Sequence, residues 1–135
     1  MVIKHDNIVE VRDLKVHFPI TEGLMKREVG FVSAVDGVSF DIARGETFSL
    51  VGESGCGKST TALALLKMQP ATSGDIILNG ENITRHSPSE MRPIRRKVQM
   101  VYQDPYGSLN PRMKVGSIIG EPLRVHGKAG DKDQY

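Results

Sequence analysis

The sequence predicts an α/β fold in which an antiparallel β layer precedes a parallel sheet with flanking helices. Apolar and polar residues alternate with a period of two up to about residue 45, which is typical of strands with one solvated face. From about residue 46, short apolar segments alternate with helical patterns, the order that gives a parallel sheet. A glycine-rich turn joins the first of these apolar segments to the first helix.

Two alternating segments predict the antiparallel layer, about residues 1–45. The first is Ile8–Phe18, which alternates in two short pieces. Pro19 lacks the N–H that a central strand needs, so the strand is expected to end there and Ile20–Gly30 to form an exposed loop. The second strand is Val38–Ile42, and the turn at 43–45 closes the layer.

The second part, about residues 46–135, is expected to carry the parallel sheet. Its predicted strands are Glu46–Val51, Gly74–Asn79 and Val98–Tyr102. Its predicted helices are Lys58–Met68, one that begins at Ser87-Pro88-Ser89-Glu90, and Val115–Val125, bent or broken at Pro122. Its predicted turns are Asn79-Gly80 and the loop Asp104–Arg112. The 135 residues are expected to belong to a single domain.

Composition excludes several classes of protein. Eighteen Lys and Arg against sixteen Asp and Glu leave a net charge of +2, too little for a nucleic-acid contact that needs a concentrated basic face. The longest apolar run, Ala62–Leu66, is far shorter than the roughly 20 residues of a membrane helix. A single cysteine excludes an internal disulfide and a cysteine-based zinc site. The N-terminal segment Met1–Asp13 carries charged residues where a signal peptide would need an apolar stretch, so the chain is expected to be soluble and not exported.

A phosphate-binding loop is the most specific local motif. The segment Gly52-Glu53-Ser54-Gly55-Cys56-Gly57-Lys58-Ser59 fits the pattern G-x-x-x-x-G-K-[ST] at every fixed position. Its glycines allow successive N–H groups to face one concavity, and the helix that begins near Lys58 adds its positive end. Lys58 supplies a charge for the β- and γ-phosphates, and the Ser59 hydroxyl is a ligand for Mg²⁺.

Cys56 occupies a variable position of this loop. A thiol at a helix N-terminus can have a lowered pKa, which suggests a redox role. Only the backbone N–H matters at this position of the motif, so a small filler residue is the favoured interpretation.

A second candidate site follows the predicted strand Val98–Tyr102. Gln103 extends an amide from the strand end, and strand ends in open α/β sheets face the ligand crevice. Gln103 is therefore predicted to ligate Mg²⁺ or to orient a water. Asp104 is the alternative candidate. ATPases that contain a phosphate-binding loop have a metal-linked carboxylate after a hydrophobic strand, and Asp104 follows the predicted strand.

Four segments resemble the ATP-binding subunit of ABC transporters, and most of all the oligopeptide/dipeptide permease group. They are AVDGVSFDI, GETFSLVGESGCGKSTTALALL, SGDIILNG and VQMVYQDPYGSLNPRMKVGSIIGEPL. The first motif of the resemblance, the phosphate loop, is common to many ATPases. The second, QDPYGSLNPR, is much narrower.

The resemblance implies a nucleotide-binding domain that binds ATP and Mg²⁺ through Gly52–Thr60, with Lys58 and Gln103 in catalysis and Gln103 facing the membrane subunit. It also implies an aromatic residue stacked on adenine. Phe18 fits this place, Phe31 is the alternative, and Phe18 is otherwise a core residue that shares a face with Leu14 and Val16.

The resemblance implies partners as well: a second ATPase domain in a homo- or heterodimer, permease subunits, an extracytoplasmic binding protein and a location at the cytoplasmic face of the membrane. The LSGGQ signature, an apolar run ending in Asp-Glu and the switch histidine do not occur in the sequence. The chain is therefore expected to be the N-terminal part of a longer protein, and residues 1–135 alone to be inactive as an ATPase.

Three classes of function compete at this stage. The first is the ATPase of an importer for oligopeptides or dipeptides, with nickel complexes and glutathione as alternative cargoes. The second is a soluble ABC ATPase of DNA repair or chromosome maintenance, which the nearly neutral charge disfavours. The third is a small metabolite kinase, for which no acceptor site or lid is found.

Overall fold

A computed structural model describes residues 6–23, 27–104 and 107–127. The chain forms two compact units, Met1–Ile94 and Arg95–Tyr135. The first contains β1 (Asn7–Glu22), β2 (Arg27–Ala43), α1 (Lys58–Leu65), β3 (Ser73–Leu78), β4 (Glu81–Asn82) and α2 (Pro88–Ile94). The second contains α3 (Val115–Val125). The four strands form one sheet in the order β2-β1-β3-β4, with antiparallel neighbours throughout.

The antiparallel layer is longer than predicted. β1 continues through Pro19 to Glu22. The segment Ile20–Gly30 was predicted to be a loop, but residues at both of its ends pair in a hairpin, with Ile20 opposite Gly30. Pro19 is tolerated because β3 pairs with β1 only as far as Lys15. Beyond that point β1 has a neighbour on one side only, and a missing N–H costs little on a free edge.

The two alternating pieces of the first strand are confirmed, and a bulge separates them. The register of β1 shifts between Val11 and Leu14, and Asp13 there has a φ of 45°. An extra residue at this point changes the parity of the strand, so both Val11 and Leu14 are fully buried. Gly74 of β3 faces the bulge, where a Cβ would overlap the carbonyl oxygen of Asp13.

The core is formed by this sheet together with buried residues of helices α1 and α2. The sheet contributes the buried residues Val11, Leu14, Val16, Val35, Ile76 and Leu78. Helix α1 adds Thr61 and Ala64, and α2 adds Met91. Because α1 packs against β1 and β2, the loop that precedes α1 is held next to the hairpin.

Two segments that were predicted to be parallel strands do not form strands in the described part of the structure. They are Glu46–Val51 and Val98–Tyr102. Val51 is 87% exposed and Val101 is 92% exposed. The segment 46–51 still packs on the hairpin, since the Phe48 ring stacks on that of Phe40 at 4.8 Å. Parallel strands need hydrogen-bonded neighbours and helices on both faces, and the described residues supply no such neighbours to these two segments.

The local turn and cap predictions are largely confirmed. Asn79 and Gly80 both have positive φ, 48° and 80°, as a tight hairpin turn requires. At the start of α2, Ser87 donates its N–H to the Glu90 carboxylate at 2.7 Å. The Ser87 hydroxyl also donates to that carboxylate, and the two hydrogen bonds lower the pKa of Glu90.

The predicted end of one of the other two helices needs correction, and the predicted bounds of the other are confirmed. Helix α1 begins at Lys58 as predicted but ends at Leu65 instead of Met68, because Lys67 takes a φ of 54°. Helix α3 covers Val115–Val125 as predicted, and Pro122, where a bend or break was predicted, lies inside it without breaking it. No helix in the described part of the chain is both long and apolar enough to span a bilayer.

Candidate functional site

The glycine-rich loop is held against strand β2. Gly57 is the N-cap residue of α1 and has a φ of 93°, and Gly55 has a φ of 83°. A Cβ at Gly57 would overlap the carbonyl oxygen of Ala34 in β2 and lie 3.4 Å from the Val35 side chain. A Cβ at Gly55 would meet nothing within 4 Å. Gly57 is therefore required for conformation and for space, and Gly55 for conformation alone. The role of Ala34 was not foreseen from the sequence, because the residue is distant along the chain.

The N-terminus of α1 offers backbone donors to a ligand. Gly57 has no side chain to cap the helix, and the first turn contains no acidic residue. The first N–H groups of a helix have no partner within the helix, and the helix dipole makes this end positive. This end of the helix is therefore suited to bind an anion.

Lys58 places its ammonium group on the loop backbone. Its Nζ donates to the carbonyl oxygens of Gly52, at 2.8 Å, and Glu53, and it lies 3.4 Å from Cys56 Sγ. The side chain therefore folds back over the loop and adds a full positive charge to the helix end. A Cβ at Gly52 would lie 2.7 Å from Cys56 Sγ, so a larger residue at position 52 would displace that thiol.

Three hydroxyl residues follow in the first turns of α1. Ser59 is exposed, Thr60 is half-buried and Thr61 is buried. Thr61 donates both its N–H and its hydroxyl to the Gly57 carbonyl, at 2.8 and 2.9 Å. Thr61 thus anchors the cap, whereas the Ser59 hydroxyl remains accessible for a ligand.

Both candidate adenine-stacking rings lie in the hairpin. Phe18 in β1 is 39% exposed, so the core interpretation does not describe it well. Phe31 in β2 is 63% exposed, and the His17 ring stacks on it at 4.6 Å with an interplanar angle of 11°. Phe18 pairs with Val32, two residues from the Ala34 carbonyl that supports the loop. The hairpin thus offers two accessible rings.

Gln103 lies in the second unit and is exposed. It lines an open pocket of about 590 Å³ together with Tyr102, Asp104, Gly107 and Ser108. The Asp104 carboxylate accepts the Gly107 N–H at 3.1 Å, which engages one of its oxygens within the loop. Two positions of the predicted loop Asp104–Arg112, 105 and 106, lie outside the described residues.

Carboxylate, histidine and thiol groups do not cluster as metal ligands anywhere in the described ranges. Mg²⁺ is often bound through substrate phosphates with one or two protein oxygens. The accessible Ser59 hydroxyl fits that manner of binding.

A glycine loop seated on a β layer and opening a helix at Gly57-Lys58-Ser59 defines a P-loop nucleotide-binding protein. The family model described as "ABC transporter" matches residues 35–134, most of the chain. The chain therefore belongs to the ABC transporter family.

Two curated relatives illustrate the similarity. The chain is 48% identical over 132 residues to the glutathione import ATP-binding protein GsiA of Escherichia coli (strain K12). The alignment covers 98% of the chain and 21% of GsiA. The chain is also 48% identical over 122 residues to the oligopeptide transport ATP-binding protein AppF of Bacillus subtilis (strain 168). This alignment covers 90% of the chain and 37% of AppF. The chain thus spans about a fifth of the length of GsiA and somewhat over a third of the length of AppF.

A solved structure supports the fold. The chain resembles MJ0796, a bacterial ABC transporter cassette solved as a dimer, with a TM-score of 0.73 at 23% identity. The match covers 87% of the chain and 47% of the cassette. The predicted ABC-type nucleotide-binding fold is confirmed, and the chain contains part of that fold.

Proposed function

We propose that the chain binds Mg-ATP through Gly52–Thr60 and that the complete protein hydrolyses ATP to drive import of peptides. One observation carries the proposal: the uncapped, acid-free N-terminus of α1 adjoins a glycine loop on which the Lys58 ammonium is folded. Backbone donors, a helix end and a lysine on one loop form a site for polyphosphate. We further propose that both compact units belong to one nucleotide-binding domain.

Each loop residue has a task in this proposal. The loop N–H groups and the first turn of α1 hold the phosphates, and Lys58 exchanges its carbonyl partners for β- and γ-phosphate oxygens. Bound Mg²⁺ would neutralise the phosphate charge that develops during transfer. The Ser59 hydroxyl is its proposed protein ligand, and we propose that Gln103 either ligates the Mg²⁺ through its amide oxygen or orients the attacking water.

The cargo class rests on the relatives. GsiA is named for glutathione import and AppF for oligopeptide transport, and glutathione is itself a small peptide. We therefore place the cargo among peptides. The proposed partners are a second ATPase domain, permease subunits and, indirectly, an extracytoplasmic binding protein, with the ATPase peripheral to the cytoplasmic face of the membrane.

The test is to titrate the full-length protein with ATP, ADP and adenosine, with and without Mg²⁺. We expect ATP and ADP to bind and adenosine to bind at least about tenfold more weakly, because the phosphates contribute most of the contacts. Equal affinity for adenosine and ATP would contradict the proposal. Salt-dependent binding of DNA by the same protein would favour the DNA-maintenance alternative.

Phe18 and Phe31 give a second prediction. If Phe18 stacks on adenine, Phe18→Ala weakens ATP binding about five- to tenfold, and Phe31→Ala has little effect, because stacking contributes roughly 1 kcal/mol or slightly more. The measurement compares ATP with inorganic triphosphate, which has no base. Triphosphate affinity should not change in either variant. A larger loss in Phe31→Ala would assign the adenine contact to the Phe31 ring that stacks on His17.

A further inference from the structure

The side chains of His17 and Phe18 lie on opposite faces of the hairpin. The two residues are consecutive in β1, and successive side chains of a strand point to opposite faces. Phe18 therefore shares a face with the buried Val16, on the side of the core. The His17 side chain is only 21% exposed although it lies on the other face, where its ring stacks on Phe31 at 4.6 Å. His17 can thus act on the strand that carries Phe18 without contacting a ligand on the Phe18 face.

Strand β1 loses its support on one side at His17. The Thr72 hydroxyl accepts the His17 N–H at 2.8 Å, and the Thr72 N–H donates to the Lys15 carbonyl at 2.8 Å. From Phe18 onward, the residues of β1 pair with β2 alone in the described part of the sheet. The position of the Phe18 ring therefore depends on how firmly β2 holds β1 at this point.

A bulge in β2 brings Asp36 to the face of His17. His17 pairs with Ser33 and the preceding residue pairs with Val35, so Ala34 is an extra residue in β2. An extra residue changes the parity of a strand, so Asp36 comes to the same face as His17. The bulge that presents the Ala34 carbonyl to the glycine loop thus also places a carboxylate beside the imidazole.

The imidazole and this carboxylate are close but not hydrogen-bonded. His17 Nε2 is buried and has no hydrogen-bond partner among the described residues. Asp36 Oδ1 lies 4.0 Å from it, which is too far for a hydrogen bond. Lys15 Nζ lies 3.9 Å from the same Asp36 oxygen and 3.9 Å from Asp13 Oδ2. Protonation of His17 makes Nε2 a charged donor, so it favours a shorter contact with Asp36, which the charge of Lys15 opposes.

We propose that His17 is a positioning residue whose protonated form holds β1 to β2 through Asp36 and thereby fixes the Phe18 ring for the nucleotide base. The inference rests on the proposed function, in which Phe18 stacks on adenine. The Phe31 ring orients the imidazole, and the Asp36 contact adds the cross-strand attraction. An imidazole changes its charge between about pH 5 and 8, so the attraction increases as the pH falls. A ring that is fixed before binding loses less freedom on binding, so the contribution of the base to ATP affinity should increase as well.

The experiment measures the dissociation constants of ATP and of inorganic triphosphate with the full-length protein in Mg²⁺ at pH 8 and pH 6. The ratio of the triphosphate Kd to the ATP Kd reports the contribution of the base. We expect this ratio to be about threefold larger at pH 6 than at pH 8 relative to His17→Phe, the magnitude typical of a partly exposed ion pair. His17→Phe keeps a ring against Phe31 but cannot be protonated, and both ligands titrate identically in the two measurements.

Two further variants make the test specific. Asp36→Asn keeps the size of the side chain and removes its charge, so its ratio should follow that of His17→Phe at both pH values. His86→Gln is the matched control, because His86 pairs with Glu81 at 2.9 Å outside the hairpin. This variant should keep the pH dependence of the parent protein.

Two results would overturn the inference alone. They are a parent protein with the same pH dependence as His17→Phe, and an Asp36→Asn variant with the full pH dependence of the parent. If Phe18→Ala leaves the ratio unchanged at both pH values, the adenine contact of the proposed function fails, and the inference fails with it.

Discussion

Replacing Lys58 with alanine is expected to abolish ATP hydrolysis by the complete protein, with a loss of at least about a hundredfold in kcat/KM. The ammonium is the one full positive charge that the described structure places on the glycine loop, through Gly52 and Glu53. Charge stabilisation and positioning carry most of the catalysis in phosphoryl transfer, so the backbone donors alone are not expected to compensate. ATP affinity should fall as well.

The measurement is phosphate release by the full-length protein, with thermal unfolding recorded in parallel. Lys97→Ala is the matched control, because Lys97 is exposed and outside the loop. A Tm within a few degrees of the parent would show that the loss comes from the missing charge and not from unfolding. Lys58→Ala protein that binds and hydrolyses ATP at the parent rate would contradict the assignment of the loop.

Replacing Gly57 with alanine is expected to destabilise the protein by about 2–5 kcal/mol and to remove ATP binding. Two costs add at this position. A φ of 93° is unfavourable for any residue with a Cβ, and that Cβ would overlap the Ala34 carbonyl. Relief of the overlap must move the loop away from β2, which displaces the backbone donors that we propose bind the phosphates.

Gly55 supplies the control for this experiment. Its φ of 83° is similar, but a Cβ there meets nothing within 4 Å. Gly55→Ala should therefore lose only the conformational part, about 1–2 kcal/mol. Urea unfolding of both variants in the full-length protein measures the difference. Equal destabilisation would show that Gly57 does not press on β2.

Features that depend on a few neighbouring residues were correctly predicted. The positive φ values at Asn79 and Gly80 follow from the residue types themselves, and so does the capping of α2 by Ser87 and Glu90. The start of α1 at Lys58 follows from the glycine before it. Each of these structures is closed by hydrogen bonds or by conformational limits within four residues.

Two errors concern features that depend on distant residues. Pro19 was expected to end a strand, but the length of β3 decides whether the missing N–H matters. The apolar segment 46–51 was expected to be a strand, and its composition is that of one. A strand nevertheless exists only where another strand accepts its hydrogen bonds.

The sequence by itself determined the glycine loop Gly52–Ser59, the helix that begins at Lys58 and the family, because these depend on residue types at fixed spacing. Only the tertiary structure decided three other features. They are the contact of Gly57 with the Ala34 carbonyl, the exposure of Phe18 and Phe31, and the position of His17 beside Phe31 and Asp36. The physical reason is that steric contact, solvent exposure and the choice among side-chain partners depend on where the folded chain brings its distant parts.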